Sequence, residues 1–463
     1  MKKFGIILGA FLLLLLLVVF FSTSFVARET YFNEDYYKKN TANIDSLKPL
    51  TESGPIQAGF ARVSITPTLN SKEDNYREGK FIGLPLAGYG DRKGKYTTGI
   101  HDSIFVKAAA LKVGSQMVVL VGADLLIMPP GVIDSVAVLL AKKGIQRGQV
   151  FFSASHSHSS LGGWGPGVIG EQFAGKENSN LERWLTQQIS AVVISAVADM
   201  KPAKISTGNF PVGMYTKNRL IGKTGNKNND FSFIVLEQTG HKKAVIGSYS
   251  AHATTLGGEN MAISAEYPGY WQRKMEKTFD YAVFVAGSVG SQSPAGGEGE
   301  GFDKTKFIGE ALADSLNAHL SHLTLSDTTS FSCVSLKMQL PEYHIRLTTK
   351  LNLATALSKK LLPLTGDVYV QAVRMGNMIW MTAPCDFSGE FALQLKNSLR
   401  YYGYNANVSS FNGGYVGYII PGRYFYLDEY EPKIMGWYGP NMGEYTMDVV
   451  RQIARAISGK DNI

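Results

Sequence analysis

The stretch FFSASHSHSS at 151–160 sets two histidines, His156 and His158, one residue apart directly after an apolar run. In an extended chain residues i and i+2 point the same way, so both imidazoles can reach one site. A third, His252, follows another apolar run in SYSAHATT. Convergent neutral imidazoles joined by oxygen donors suit a divalent metal. A lone histidine at a strand end more often serves packing or a hydrogen bond; the i, i+2 pair is what moves the reading toward a metal site. His319 and His322 close a helical pattern, where an imidazolium favours the C-terminal dipole. They are assigned to structure, as are His241 and His344, and His101 carries no assignment.

Other chemistries are disfavoured. The only cysteines, Cys333 and Cys385, form neither a disulfide framework nor a CxxC thiolate site, so a metal here takes nitrogen and oxygen ligands. Gly222-Lys223-Thr224 ends like a phosphate loop, yet Lys217 stands where that motif needs glycine. AGYGDRKG at 87–94 spaces its glycines wrongly for a dinucleotide turn. Both read as ordinary loops. Ser293, in GSQSPAGG, lies outside a G-x-S-x-G elbow, so a nucleophilic role for it requires an activator other than a triad histidine.

The elements that must position these residues alternate between short apolar runs and longer periodic ones. Strands are predicted over 58–65, 105–113, 117–121, 150–154, 231–236, 244–250, 281–286, 331–340, 368–375 and 378–382, the last two joined by a tight turn at Gly376-Asn377. Helices are predicted over 131–143, 180–200, 268–279, 304–320, 350–361, 387–401 and 443–458. The fold class this implies is α/β of mixed type, with mixed β-sheets flanked by helices. Several apolar strands run into small residues followed by reactive ones: Ser155-His156, Ala251-His252, GSVGSQSP and APCD. Ligand sites in open α/β sheets gather at such strand ends.

With 463 residues, 44% of them hydrophobic, the chain has material for one large or two ordinary cores. A net charge of +8 without a sustained basic helix makes nucleic acid a poor partner. At the N-terminus Lys2 and Lys3 precede an apolar run from Phe4 to Phe21. Residues 1–27 therefore read as a signal anchor and transmembrane helix, with cleavage of a signal peptide as the alternative. The rest then lies outside the cytoplasm, periplasmic or extracellular, or is secreted if the signal is cut. Residues 28–57, polar and rich in Tyr, Asn and Lys, read as a tether, and 58–463 as one large catalytic domain. The sequence sets no oligomeric state.

The ordered motifs ASHSHSSLGG, KNR, SAHATTLGG with SAEYPGYW, GSVGSQSPAGG, APCDFSGE and GGYVGYIIPGRYFYLDEYE resemble the neutral ceramidases from Gly59 to about Gly439. The resemblance implies a zinc-dependent amidase that splits the N-acyl bond of ceramide into a sphingoid base and a fatty acid. It implies zinc held by His156, His252, Asp386 and Tyr418, with Ser293 as nucleophile and His158, Arg219 and Tyr430 against the scissile amide. A zinc-bound water, its pKa lowered to roughly 7, would take the Ser293 proton on the way to an acyl-enzyme. The partner implied is a lipid, met at a membrane.

Three departures bear on substrate. The family commonly carries Glu at the position of Asp386. Its GDVSPN reads GSQSPA here, with Ser291 and Ala295 in place of an acid and an asparagine. Its immunoglobulin-like C-terminal domain has no counterpart in this sequence. An amidase or esterase acting on other N-acyl or O-acyl lipids is the alternative, and a catalytically silent lipid-binding relative a third.

Overall fold

The computed structural model describes residues 2–364 and 366–460, with Lys2 and Gly5 described by their backbone alone. Met1 and residues 461–463, which close the expected anchor and domain at either end, lie outside the described residues.

Twelve strands form one branched sheet: β1 (Glu52–Ser64), β2 (Phe105–Val113), β3 (Gln116–Ala123), β4 (Val150–Ala154), β5 (Lys201–Pro211), β6 (Asp230–Gln238), β7 (Lys243–Tyr249), β8 (Tyr281–Ala286), β9 (Thr328–Lys337), β10 (Tyr369–Met375), β11 (Met378–Ala383) and β12 (Asn405–Ser410). Their order is β8-β7-β6-β5-β1-β9-β10-β11-β12, with β2, β3 and β4 continuing from β1 as a branch. The branch point is the long β1, which pairs with β9 through Glu52–Pro55, with β5 through Gln57–Ala58, and with β2 through Ile56–Ser64. The two arms fold face to face. Gly122 of β3 meets β8 so closely that an added Cβ would come within 2.6 Å of Val283. Between the arms lies an apolar layer that includes Ala58, Leu120, Phe151, Ile234, Ile246 and Trp380.

Helices cover the outer faces. Pro130–Ala141 and Ser179–Ala198 bury Val136, Ile189 and Val193 against the branch. Glu266–Met275 and Gly301–Leu320 bury Trp271 and Leu312 over β5–β8. Gly389–Tyr401 and Met442–Ser458 bury Leu395 and Ile453 over β9–β12. Strands covered on both faces need continuous apolar runs, which is why β4 reads VFFSA and is buried throughout. The mixed α/β architecture expected from the sequence is thus present, including the two-residue turn after Met375, where Gly376 takes φ +61°.

Within this twelve-stranded sheet three pairs are parallel, β3 with β4, β7 with β8, and β11 with β12. The C-terminal ends of β4, β7, β8, β11 and β12 carry the segments that hold His156, His252, Ser293, Asp386 and Tyr418.

The N-terminal region differs from expectation. Residues 28–57 do not form a tether: Asp35–Ser46 is a helix and β1 begins at Glu52. The polar texture hides one inward face. Tyr31 and Ile44 are buried with the Met442–Ser458 helix, the Tyr31 hydroxyl donates to Asp448 at 2.6 Å, and Asn40 Nδ2 donates to the Gln339 carbonyl at 3.2 Å. Upstream, Lys2–Ser22 is an apolar helix whose side chains at Phe4 and from Ile6 to Phe21 are exposed. Among the described residues no helix is long and apolar enough to cross a membrane. The expected transmembrane span therefore finds no support among the described residues. Lys350–Leu361, expected as one helix, divides into a strand (Leu351–Leu353) paired with Thr23–Phe25 and a helix (Thr355–Leu361). Cys333 and Cys385 are both free.

Because Tyr31 fills a core position, Tyr31→Ala is expected to cost about 3 kcal/mol of stability. Urea unfolding checks this, and a loss below about 0.5 kcal/mol would return the segment to the status of a tether.

Candidate metal centre

β4 ends at Ala154, and the chain turns sharply through His156, which takes φ +64°. That left-handed turn is uncommon outside glycine and marks a site whose surroundings over-determine it. The same turn is tied to the segment after β7: Ser157 bridges Ala253, and the His158 amide donates to the Ala253 carbonyl at 3.2 Å. Two sequence-distant histidine segments thus lie side by side.

Backbone carbonyls set the tautomers. His156 Nδ1 lies 2.8 Å from the Leu126 carbonyl and His252 Nδ1 lies 2.8 Å from the Gln292 carbonyl. A carbonyl only accepts, so each Nδ1 carries the hydrogen and each Nε2 presents a lone pair inward. This is the arrangement that outer hydrogen bonds give to metal-binding histidines. His158 Nε2 lies 3.2 Å from His156 Nε2. Phe411, itself at φ +72°, stacks on the His156 ring at 4.3 Å.

Asp386 enters from the end of β11. The short strand Asp386–Phe387 pairs in parallel with Tyr418–Ile419, which puts Asp386 and Tyr418 opposite one another. Asp386 Oδ2 accepts from Tyr415 at 2.6 Å, whereas Oδ1 is buried without a hydrogen-bond partner. That oxygen lies 3.4 Å from His156 Nε2 and 3.3 Å from His252 Nε2. Ligands about 2.0–2.1 Å from a tetrahedral ion stand roughly 3.3 Å apart. The separations among these donors match that edge. The ligand atoms of His156, His158 and His252 all lie within 4.8 Å of one another. The residues present therefore fit a divalent metal, although nothing in the donor set fixes which ion.

Electrostatics agree. Burial holds His156 far below its ordinary 6.5, to about 3, despite the opposing pull of Asp386. Burial likewise depresses His158 and His252 well below that value. All three imidazoles are neutral near pH 7, as ligation requires. Burial raises the Asp386 carboxyl, with His156, Tyr415 and Arg219 acting against it.

Around this cluster, the Tyr418 hydroxyl lies 2.9 Å from His252 Nε2 and accepts from Arg219 Nη2 at 3.0 Å. Arg219 Nε donates to Glu431 at 2.6 Å. Tyr430 packs edge-on to Tyr418 with ring centroids 5.9 Å apart. Beside the cluster opens a cleft walled mainly by apolar and aromatic side chains including Leu126, Trp164, Phe173, Leu364 and Trp437, with His156, His158, Tyr418 and Tyr430 also lining it.

Residues 77–295 match the family model described as neutral/alkaline non-lysosomal ceramidase, N-terminal. Over that stretch the chain is similar to this family. Among solved structures, the chain is similar to a crystal structure of neutral ceramidase from Pseudomonas aeruginosa, with a TM-score of 0.72 and 17% identity over 88% of this chain and 74% of that one. It is also similar to a ceramidase complexed with C2, with a TM-score of 0.74 and 16% identity over 88% of this chain and 76% of that one. At such identities the likeness is one of fold. No curated protein matches the chain.

Of the residues expected from the ceramidase resemblance, His156, His158, His252, Asp386, Tyr418, Arg219 and Tyr430 come together. Ser293 is half-buried in the short strand Gln292–Pro294, paired with Thr216–Asn218, and is not among the residues lining the cleft. It stands next to Gln292, whose carbonyl holds His252. Tyr415, Phe411 and Leu126 escaped the sequence reading. Tyr415 lies in the same GGYVGY segment as Tyr418, and that was its only signal.

Four of the histidines outside the cluster have local partners. His101 Nε2 lies 3.0 Å from the Tyr270 hydroxyl, His241 pairs with Glu237, and His319 and His344 bond to the Ser315 and Leu353 carbonyls.

Buried imidazoles with depressed pKa values bind fewer protons folded than unfolded, so their contribution is present above about pH 6.5 and is lost as pH falls toward about 3. The metal-free chain should lose thermal stability across that window. His158→Gln should flatten the slope, and identical slopes in the two proteins would show that the cluster is not buried neutral.

Proposed function

We propose that the chain is a metal-dependent hydrolase, with zinc as its ion, that cleaves the N-acyl bond of ceramide-like sphingolipids to a sphingoid base and a fatty acid. The observation that carries this reading is the convergence of three imidazole nitrogens and the unpartnered Asp386 oxygen beside an apolar cleft. The family-model match over residues 77–295 and the fold shared with ceramidases support the substrate class.

In this reading His156, His252, Asp386 and Tyr418 hold the ion, which when bound supplies a Lewis acid and a water acidic enough to exchange protons near neutrality. Ser293 attacks the amide carbonyl: its oxygen bonds to carbon, the C–N bond breaks, and the amine departs with a proton. Water then cleaves the resulting ester to the fatty acid and restores the serine. His158 lines the amide site. Arg219, held by Glu431, keeps the Tyr418 phenol in place, and Tyr430 donates to the developing oxyanion. The apolar wall of the cleft takes hydrocarbon, each buried methylene contributing about 0.8 kcal/mol.

Ser291 and Ala295, on either side of Ser293, favour a second reading in which other N-acyl or O-acyl lipids are cleaved. We also propose that the domain lies outside the cytoplasm against a lipid surface, a placement supported by the exposed apolar helix Lys2–Ser22 and the lysines at its start.

Hydrolysis of a fluorescent short-chain ceramide should vanish with chelator and return with Zn²⁺. Turnover of acyl esters or N-acyl amino acids in place of ceramide would select the second reading. Ser293→Ala should lower kcat by about 10³-fold or more; unchanged turnover would remove serine from the mechanism. In flotation with phosphatidylcholine vesicles the full chain should rise with lipid and the chain lacking residues 1–27 should not. Equal flotation would remove the helix from that role.

A further inference from the structure

The glycine loop at 87–92 matches no nucleotide-binding pattern, yet it packs directly on the imidazole cluster. Gly88 has φ +109°, and a Cβ built there would fall 2.5 Å from His158 Nδ1 and 2.7 Å from Cγ of the same ring. The Gly88 amide donates to the Phe173 carbonyl at 2.7 Å and the Ala87 amide to the Ser160 carbonyl at 2.9 Å, so the loop cannot swing away to make room. Next along, the Tyr89 ring sits 5.0 Å from the His158 ring, and its hydroxyl donates to the Leu256 carbonyl at 2.8 Å.

Arg92 is the more telling residue. It is 3% exposed, and all its hydrogen bonds end on carbonyl oxygens. Nη1 donates to Ala87 at 3.1 Å and to His158 at 2.5 Å, Nε to Gly258 at 3.2 Å, and Nη2 to Gly257 at 3.4 Å. A guanidinium is costly to bury without a contacting anion. Here its planar fork spans three chain segments: its own loop, the turn that ends in His158, and the loop that follows His252.

We propose that loop 87–92 is the positioning element of the metal centre: Gly88 leaves the space that the His158 ring occupies, and Arg92 ties the His156–His158 turn to the His252 loop. This rests on the metal-centre reading above, but not on ceramide being the substrate. Because His158 Nε2 lies 3.2 Å from His156 Nε2, moving one ring alters the position open to the other. None of these residues need touch the reacting atoms.

The test uses the full chain in detergent micelles, with Gly88→Ala, Arg92→Met, Arg92→Lys, Tyr89→Phe and, as a control in the same loop, Gly90→Ala. At Gly90 the nearest atom to an added Cβ is the Gln172 carbonyl oxygen at 3.8 Å, an ordinary contact. Zn²⁺ affinity is read by chelator competition, alongside the thermal midpoint, kcat and KM. Gly88→Ala and Arg92→Met should weaken Zn²⁺ binding about 10–100-fold, the range seen for outer partners of metal ligands. Their kcat should fall while KM stays within about threefold, Arg92→Lys should recover part of the affinity, and Gly90→Ala should match the parent chain. Affinity within twofold of the parent in both Gly88→Ala and Arg92→Met overturns the proposal, whatever happens to the thermal midpoint. If those two fail to fold, Arg92→Lys and Tyr89→Phe decide by the same criterion. A parent chain that binds Zn²⁺ but leaves ceramide intact would overturn only the substrate reading; one that binds no Zn²⁺ would overturn both.

Discussion

Two backbone carbonyls, those of Leu126 and Gln292, constrain everything else in the centre. Each accepts the only hydrogen of a neutral imidazole, so His156 and His252 are obliged to turn bare nitrogens toward the same small volume. The carbonyls can do this because they belong to segments leaving neighbouring parallel strands. Leu126 follows β3, Gln292 follows β8, and the histidines follow β4 and β7. The pairing of the strands thus decides the direction of the lone pairs. The Gln292 side chain secures that arrangement: Nε2 donates to the Thr216 hydroxyl at 3.1 Å and to the Asn228 carbonyl at 2.9 Å, and Oε1 accepts from the Asn228 amide at 2.6 Å.

The centre carries local costs that the surrounding fold offsets. His156 and Phe411 both adopt left-handed backbone conformations, each worth on the order of 1–3 kcal/mol. Their rings stack at 4.3 Å with planes 13° apart, so each strained turn is held by the other. An unpartnered carboxylate oxygen beside neutral imidazoles adds a desolvation cost that a divalent cation would remove. Strain and unmet polarity gathered at one point are typical of sites kept for chemistry rather than for stability.

Much of the architecture was legible in the sequence because buried strands need unbroken apolar runs, and all ten predicted strands are present. The two strands left out, β5 and β12, lack that signal. β12 reads NANVSS, and several polar side chains there find partners inside the sheet, as where Ser410 donates to the Gly287 carbonyl and Asn412, just beyond it, donates to Thr382, although Asn407 Nδ2 has none. Tertiary context overrides composition there. At the N-terminus the reverse error arises: Tyr- and Asn-rich composition suggests a solvated tether, while Tyr31 and Asn40 spend their polar atoms on partners some 300–400 residues away. In the centre, the i, i+2 histidines and the strand-end cues pointed to a cluster. Tyr418, Arg219 and Tyr430 were visible only through family resemblance, since periodicity cannot tell a functional tyrosine from a packing one. Tyr415 and Arg92 act on the site through other groups, and no local pattern marks such residues.

The pairing of Thr23–Phe25 with Leu351–Leu353 leads further. Its hydrogen bonds are continued by Ala354 to the Ser22 carbonyl at 2.8 Å and by Val26 to the Lys350 carbonyl at 2.9 Å, so no slack chain separates the apolar N-terminal helix from the body. The helix Thr355–Leu361 follows at once and leads to Leu362 and Leu364 on the cleft wall. A rigid bracket of this kind gives the opening a set height and a set bearing relative to that helix. Swivelling is removed from the ways in which a large hydrophobic molecule could arrive.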